Sequence, residues 1–228
     1  IPRLYDVTEG CVKVGGAEKN AIPAKDVEAI VCFGQTTVST PLLEFCGERG
    51  ISVTFLSSNG HFCGRFYGPV SGNVLLRKKQ YESIGQSEFA SRLVRDLLLG
   101  KIRNSKTVLL RAARKQQEAS PSLLQAANQL SGLAVQLESC DSIDSMRGIE
   151  GAAATIYFSQ FDSMLHSPAG FRFEARSRRP PRNEVNAVLS FVYTLLTREI
   201  SSALESVGLD PAAGYLHTLR PGRRSFSL

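Results

Sequence analysis

Several features that would narrow the field at once are missing from these 228 residues. No apolar run reaches the roughly 18 residues needed to cross a bilayer as a helix. There are three histidines, and the five cysteines (Cys11, Cys32, Cys46, Cys63 and Cys140) form no CxxC pair. An odd, scattered set reads as reduced, partly buried thiols, not a disulfide framework. No ligand pair stands at zinc-finger spacing. P-loop, GxGxxG, HExxH and GxSxG patterns are absent, which removes the usual nucleotide, zinc-protease and serine-hydrolase readings. The first residues, Ile1-Pro2-Arg3-Leu4-Tyr5-Asp6, carry no signal-peptide pattern and no initiator methionine. No internal repeat or low-complexity stretch is present.

What is there is ordinary globular chemistry. Hydrophobic residues make up 43% and charged residues 21%, which excludes a chain dominated by disorder, collagen or coiled-coil rod. A chain of 24.8 kDa forms one large domain or two small ones and buries roughly 70% of its unfolded surface without staples. Lysine plus arginine is 27 against 21 acids, a net +6, which leans toward an anionic partner. Two stretches concentrate that charge. Residues 92–115 hold Arg92, Arg95, Lys101, Arg103, Lys106, Arg111, Arg114 and Lys115 against Asp96, and residues 172–182 hold Arg172, Arg176, Arg178, Arg179 and Arg182 against Glu174. One such run is commonly a solvated face; two in one chain raise the odds of a track for a phosphate backbone.

The pattern changes along the chain. Ala29 to Phe33 and Ser52 to Leu56 read as strands, and His61 to Tyr67 follows at hairpin distance across Asn59-Gly60. Pro41 to Glu48 reads as a short helix behind Thr40 as N-cap. Residues 1–20 are poorly patterned. After Arg77-Lys78-Lys79-Gln80 the period becomes 3.6. Leu93, Val94, Leu97, Leu98 and Ile102 form one stripe. Leu123, Leu124, Ala127, Leu130, Ala134 and Leu137 form a second, behind Ser120 as N-cap and Pro121. A third helix is expected from about Arg147 to Leu165. A fourth runs from about Glu184 to Val207, with Val185, Val188, Leu189, Val192, Leu195, Leu196, Ile200, Ala203 and Leu204 on one face, and Gly208-Leu209-Asp210-Pro211 stops it. The expectation is an α+β chain: a β-rich domain over 1–76, a linker over 77–84, and an α-helical domain over 85–228.

Chemistry-bearing residues are few. Helical spacing sets Glu150 in line with Ala153, Ala154, Tyr157 and Phe161, an apolar stripe in which a carboxylate needs a reason. Two readings stand: a first-turn glutamate favoured by the helix dipole, or a metal ligand in a pocket, with Gly148 and Gly151 allowing close approach. His217 lies among apolar residues in Gly214-Tyr215-Leu216-His217, as a satisfied core histidine or as a ligand. His61, at a strand start, and His166, at a helix end, read as structural. Arg178-Arg179-Pro180-Pro181 is a solvated turn or a phosphate-binding loop.

Together these segments resemble one family. Arg147-Gly148-Ile149-Glu150-Gly151 with Tyr157-Phe158, Arg179-Pro180-Pro181 with Asn186-Ala187 and Tyr193, and Gly208-Leu209-Asp210-Pro211 with Gly214-Tyr215-Leu216-His217 are similar to motifs of the CRISPR-associated integrase, CRISPR-associated protein one. Ile22-Pro23, Ile30 to Gly34, Ser39 to Leu43, Gly50-Ile51, Asn59-Gly60, Leu76-Arg77 and Gln80-Tyr81 follow in family order. The wording is nearest the subtype I-C branch. The resemblance implies an N-terminal β domain that dimerises and a C-terminal α-helical catalytic domain. It also implies a complex with CRISPR-associated protein two, in the cytoplasm of a prokaryote and without a membrane. The implied function is that of a metal-dependent DNA endonuclease and integrase. It inserts short foreign segments of double-stranded DNA, spacers, into a CRISPR array by attack of a 3′-hydroxyl on a phosphodiester. Glu150 and His217 would then be catalytic metal ligands for Mg²⁺ or Mn²⁺. Arg77, Lys78, Arg178 and Arg179 would bind DNA, and Tyr157, Asn186 and Tyr193 would support the site. The family's third ligand, an aspartate, is expected beyond Leu228 together with further C-terminal helices, so the chain as given is expected to lack activity. Asp210 matches the family's turn and is no substitute. The alternatives are a non-catalytic DNA-binding scaffold of the same complex and an unrelated metal-dependent nuclease with a Glu/His pair.

Overall fold

A computed structural model describes residues 3–8, 11–15, 20–69, 74–115, 121–165, 170–178 and 180–227. Three expectations, Ser120 as a cap, His166 at a helix end and Arg179 on DNA, lie outside those residues. The chain divides into two compact units at residue 74, with Glu205–Gly208 grouped with the first.

The first unit contains two sheets. One has the order β3 (Asn20–Pro23), β2 (Cys11–Gly15), β1 (Arg3–Thr8), β5 (Thr36–Val38). Its β1–β2 and β2–β3 pairs are antiparallel, and β1 runs parallel to β5. The other has the order β4 (Ala29–Phe33), β6 (Ser52–Leu56), β7 (Phe62–Phe66). Strands β4 and β6 are parallel, with Ile30 opposite Val53, and β6 turns back antiparallel onto β7. Gly60 makes that turn at φ 77°, a left-handed conformation that a β-carbon disfavours. The helix α1 (Thr40–Glu48) starts one residue earlier than its expected cap: Ser39 Oγ accepts from the Leu42 N–H at 3.3 Å, so Thr40 is already helical. Ile30 and Cys32 of β4, Leu42 and Cys46 of α1, and Ile51 and Val53 close one core. Burial pushes the Cys32 and Cys46 thiols up, whereas Cys63 is exposed. The poorly patterned N-terminus thus forms strands through pairing partners that no local alternation announces.

The second unit is helical: α2 (Val74–Ile84), α3 (Ser87–Lys115), α4 (Pro121–Glu138), α5 (Ile143–Ser159), α6 (Phe161–Met164) and α7 (Glu184–Ser206). Residues 77–84, expected as a linker, are the body of α2. Its polar residues divide between a solvated face and two that are buried, Gln80 and Ser83. The core joins Val94, Leu98, Ile102 and Leu109 of α3, Leu123, Ala127, Leu130 and Leu137 of α4, and Met146, Ile149 and Ala153 of α5. Leu97 and Leu124, placed on the expected stripes, are exposed. The expected third helix breaks at Gln160, whose N–H turns back to the Phe158 and Tyr157 carbonyls. Helix α7 departs furthest from its pattern: Val188, Val192, Leu196 and Ile200 are exposed, and its fully buried members are Asn186 and Ser201. Periodicity reports that a face is apolar, not that this chain covers it.

Candidate metal and DNA site

Helix α5 begins at Ile143, four residues before its expected start, with Ser142 Oγ accepting from the Ser145 N–H at 3.5 Å. The first-turn acid is therefore Asp144, and Glu150 stands two turns in. The dipole reading of Glu150 falls with that shift. Met146, Ile149 and Ala153 anchor α5 in the core, which leaves the Glu150 side chain at the boundary, 23% exposed. Lys101 of α3 donates to its Oε1. Gly148 and Gly151 are exposed, and a β-carbon on either would meet nothing within 4 Å. They leave open space beside the carboxylate.

His217 arrives from the irregular segment after α7. Ala213 N–H donates to Asp210 O at 3.2 Å, Phe226 N–H to Pro211 O at 2.9 Å, and Arg147 Nε to Leu216 O at 2.7 Å. Gly214 is required: a β-carbon there would collide with the Ser225 carbonyl and the Phe226 nitrogen. His217 is partly buried and within electrostatic range of Glu150, Arg223, Lys101 and Arg147. Burial lowers its pKa below the ordinary histidine value, Arg223, Lys101 and Arg147 lower it further, and Glu150 opposes them. Burial and these cations thus disfavour the charged imidazole, and the neutral form is the one whose lone pair ligates a metal.

Glu150 acts electrostatically on His217, Lys101 pairs with the Glu150 carboxylate, and Arg147, three residues before Glu150, holds the carbonyl of Leu216 next to His217. A carboxylate oxygen with an imidazole nitrogen fits a divalent ion of intermediate hardness, and Lys101 already marks the carboxylate as a place for positive charge. Among the described residues no group of three His, Cys, Asp or Glu completes a metal cluster. Asp210 is committed elsewhere: Tyr81 donates to its carboxylate, and so does the Ala212 N–H at 2.7 Å.

Comparison with known proteins decides the lineage. The family model for CRISPR associated protein Cas1 matches residues 7–228. The chain belongs to the Cas1 family. It is 46% identical over 221 residues to a CRISPR-associated endonuclease Cas1 of Chlorobaculum tepidum, covering 95% of this chain and 64% of that protein. With a Cas1 endonuclease of Rhodospirillum rubrum it shares 44% over 242 residues, 99% of this chain and 70% of the relative. The structure of a CAS1 protein from Thermotoga maritima superimposes with a TM-score of 0.73 at 26% identity, over 98% of this chain and 69% of that one. The chain therefore spans 64% to 70% of these relatives' lengths.

In this Cas1-family chain the supporting residues form a second cluster. Asn186 of α7 is fully buried and holds the segment before α7. Its Nδ2 donates to Ala175 O at 2.8 Å, and its Oδ1 accepts from the Ser177 N–H and Arg176 Nη1, both at 2.9 Å. The Arg176 guanidinium also reaches Ser190 Oγ at 3.3 Å and lies 5.6 Å from the Tyr193 ring centroid. Burial and nearby Arg178 lower the Arg176 pKa, opposed by Tyr193. Tyr157 is half-buried against Phe158 and Phe161, and burial, then Tyr193, pushes its hydroxyl pKa up. Asn186 and Tyr193 thus meet Arg176, and Tyr157 is within electrostatic range of Tyr193.

Among the expected DNA contacts, Arg178 is exposed, Arg77 is partly buried on α2, and Lys78 is exposed and 3.8 Å from Glu82. Sequence reasoning did not single out Arg176, Lys101, Arg147 or Arg223. The signal for Arg176 was present in the arginine run. The other three come together only through the packing of α3 and α5 and the return of the chain past His217.

Proposed function

We propose that this Cas1-family chain acts as a metal-dependent DNA endonuclease and integrase subunit that inserts short DNA segments into a CRISPR array. The observation that carries the reading is the tie between the two segments: Arg147 of α5 holds the Leu216 carbonyl beside His217, and Lys101 pairs with Glu150 on the same helix α5. Glu150 and His217 would hold Mg²⁺ or Mn²⁺, which when bound supplies Lewis-acid activation of the phosphodiester and of the attacking hydroxyl. The attacking 3′-oxygen forms a new bond to phosphorus while the target strand's own phosphorus–oxygen bond breaks, so the number of ester bonds is conserved. The attacking hydroxyl gives up its proton to water and the departing oxygen takes one from water, so protons balance as well. Lys101, Arg147 and Arg223 offset phosphate charge at that centre. Arg178 and Arg179 before α7, and Arg77 and Lys78 on α2, would track the DNA backbone.

The expected assembly is a homodimer through the β-rich first unit, joined to CRISPR-associated protein two and double-stranded DNA in a prokaryotic cytoplasm. No helix among the described residues is long and apolar enough to cross a membrane. The subtype I-C assignment rests on the motif wording alone. A DNA-binding scaffold without chemistry is the competing reading, favoured by the want of a third acidic ligand among the described residues. An integration assay with Mn²⁺ and a 3′-hydroxyl donor separates the two. Product that disappears with Glu150→Ala and with His217→Ala supports the integrase. DNA retention without product in the unaltered protein supports the scaffold.

A further inference from the structure

The segment that delivers His217 is irregular, yet its main chain is tied down repeatedly. Much of the tying comes from one side chain on another helix. Gln80 of α2 is 4% exposed. Its Nε2 donates to Asp210 O at 2.9 Å and to Ala213 O at 3.0 Å, and its Oε1 accepts from the Asp210 N–H at 2.8 Å. A primary amide has two N–H donors, and both are spent on this turn. The next residues extend the grip. Tyr81 donates to the Asp210 carboxylate, and Ser83 Oγ shares a 2.8 Å hydrogen bond with the Tyr215 hydroxyl. Tyr215, two residues before His217, sits edge-on to Phe89 and Phe226.

We propose that Gln80 is a positioning residue: it locks the turn from Asp210 to Ala213 and so fixes where His217 presents its imidazole. The inference rests on the reading of His217 as a site residue. Gln80 bonds main-chain groups, so it acts on the chemistry only through the segment it holds. An apolar isostere such as Gln80→Met keeps the volume but takes the Gln80 amide from the Asp210 N–H and the Ala213 carbonyl, and leaves the Asp210 carbonyl with the Ala213 N–H alone. Buried polar groups left unpaired are costly, so the turn must move to recover them.

The test uses the whole protein without metal or DNA. With three histidines in the chain, a long-range proton–nitrogen spectrum resolves the imidazoles one by one. In Gln80→Met the His217 peaks should shift and broaden while those of His61 stay in place. Tyr81→Phe, which removes a bond from a half-exposed side chain, should move the same peaks less. Integration by Gln80→Met should fall roughly 10–100-fold, as for other residues that orient a ligand, with KM for DNA unchanged. Unmoved His217 peaks in a folded Gln80→Met protein overturn the proposal. If that variant fails to fold, unmoved peaks in Tyr81→Phe overturn it alone. Moved peaks with an undiminished rate also overturn it, by showing that the position of His217 does not matter. An inactive unaltered protein in a full-length context sinks the proposed function and leaves the spectral comparison standing.

Discussion

Two irregular segments of the second unit are each held by one buried amide, and they are held differently. Asn186 clamps residues 175–177 from eleven or fewer residues away, within its own stretch of chain. Gln80 clamps residues 210–213 from 130 residues away, on a helix at the other end of the unit. The near clamp presents arginines, whose long side chains find a phosphate from many positions. The distant clamp precedes a histidine, whose ring nitrogen serves a metal only within a narrow range of positions. Long-range fixation is expensive in chain entropy, and here it is spent on the segment with the stricter geometry.

The comparison breaks most visibly at the ligands themselves. In a full-length context, Glu150→Ala and His217→Ala should each abolish integration while the melting transition shifts little, because neither side chain is part of the helical core. Calorimetry beside an integration assay checks this, and near-normal turnover by either variant would remove the site from its assigned place. Next in size is Asn186→Leu. It leaves Ala175 O, the Ser177 N–H and Arg176 without a shared partner, at about 1–3 kcal/mol for the unsatisfied groups. Denaturant titration should show that loss, and DNA affinity should drop with it as Arg176 and Arg178 lose their mounting. A stable variant with unchanged DNA affinity would separate the near clamp from DNA altogether.

A smaller effect follows from pH. The folded state holds His217 below its ordinary pKa of 6.5, so it binds fewer protons there than the unfolded state. That contribution to stability is complete above the unfolded value and is lost as pH falls through the folded one. Stability should therefore decline from about pH 6.5 downward, and His217→Asn should decline less over the same range. Equal slopes would mean that burial and the surrounding cations do not act on this ring. Smallest is Arg178→Ala, which should flatten the slope of log affinity against log salt by about 0.9 if it meets one duplex phosphate. Lys78→Ala should do the same without measurable cost in stability, since its exposed pairing with Glu82 contributes little.

The sequence made some of this arrangement legible for identifiable reasons. Strands β4, β6 and β7 carry their own alternation and an Asn-Gly turn, so the hairpin is local information. Strands β1 to β3 draw their order from partners across the sheet, and no residue near them announces those partners. Helix α7 shows an apolar period but not its exposure. Around the site, Glu150 was conspicuous as a carboxylate in an apolar stripe, and the motif order tied it to His217. Lys101 was an ordinary member of a basic stretch, Arg147 opened the Glu150 motif without a role, and Arg223 drew no notice until α3, α5 and the final segment set them in electrostatic range of His217. Gln80 was harder still: a glutamine in a polar run has no signature until its amide is seen to be buried.

The first unit carries its own clock. Cys32 and Cys46 are fully enclosed with thiols pushed up by burial, while Cys63 on β7 is open to solvent. A thiol reagent meets Cys63 at once and reaches the enclosed pair only when the β4–α1–β6 core opens. The rate at which those two sulfurs are modified thus times the breathing of one unit, separately from the unit that carries Glu150 and His217.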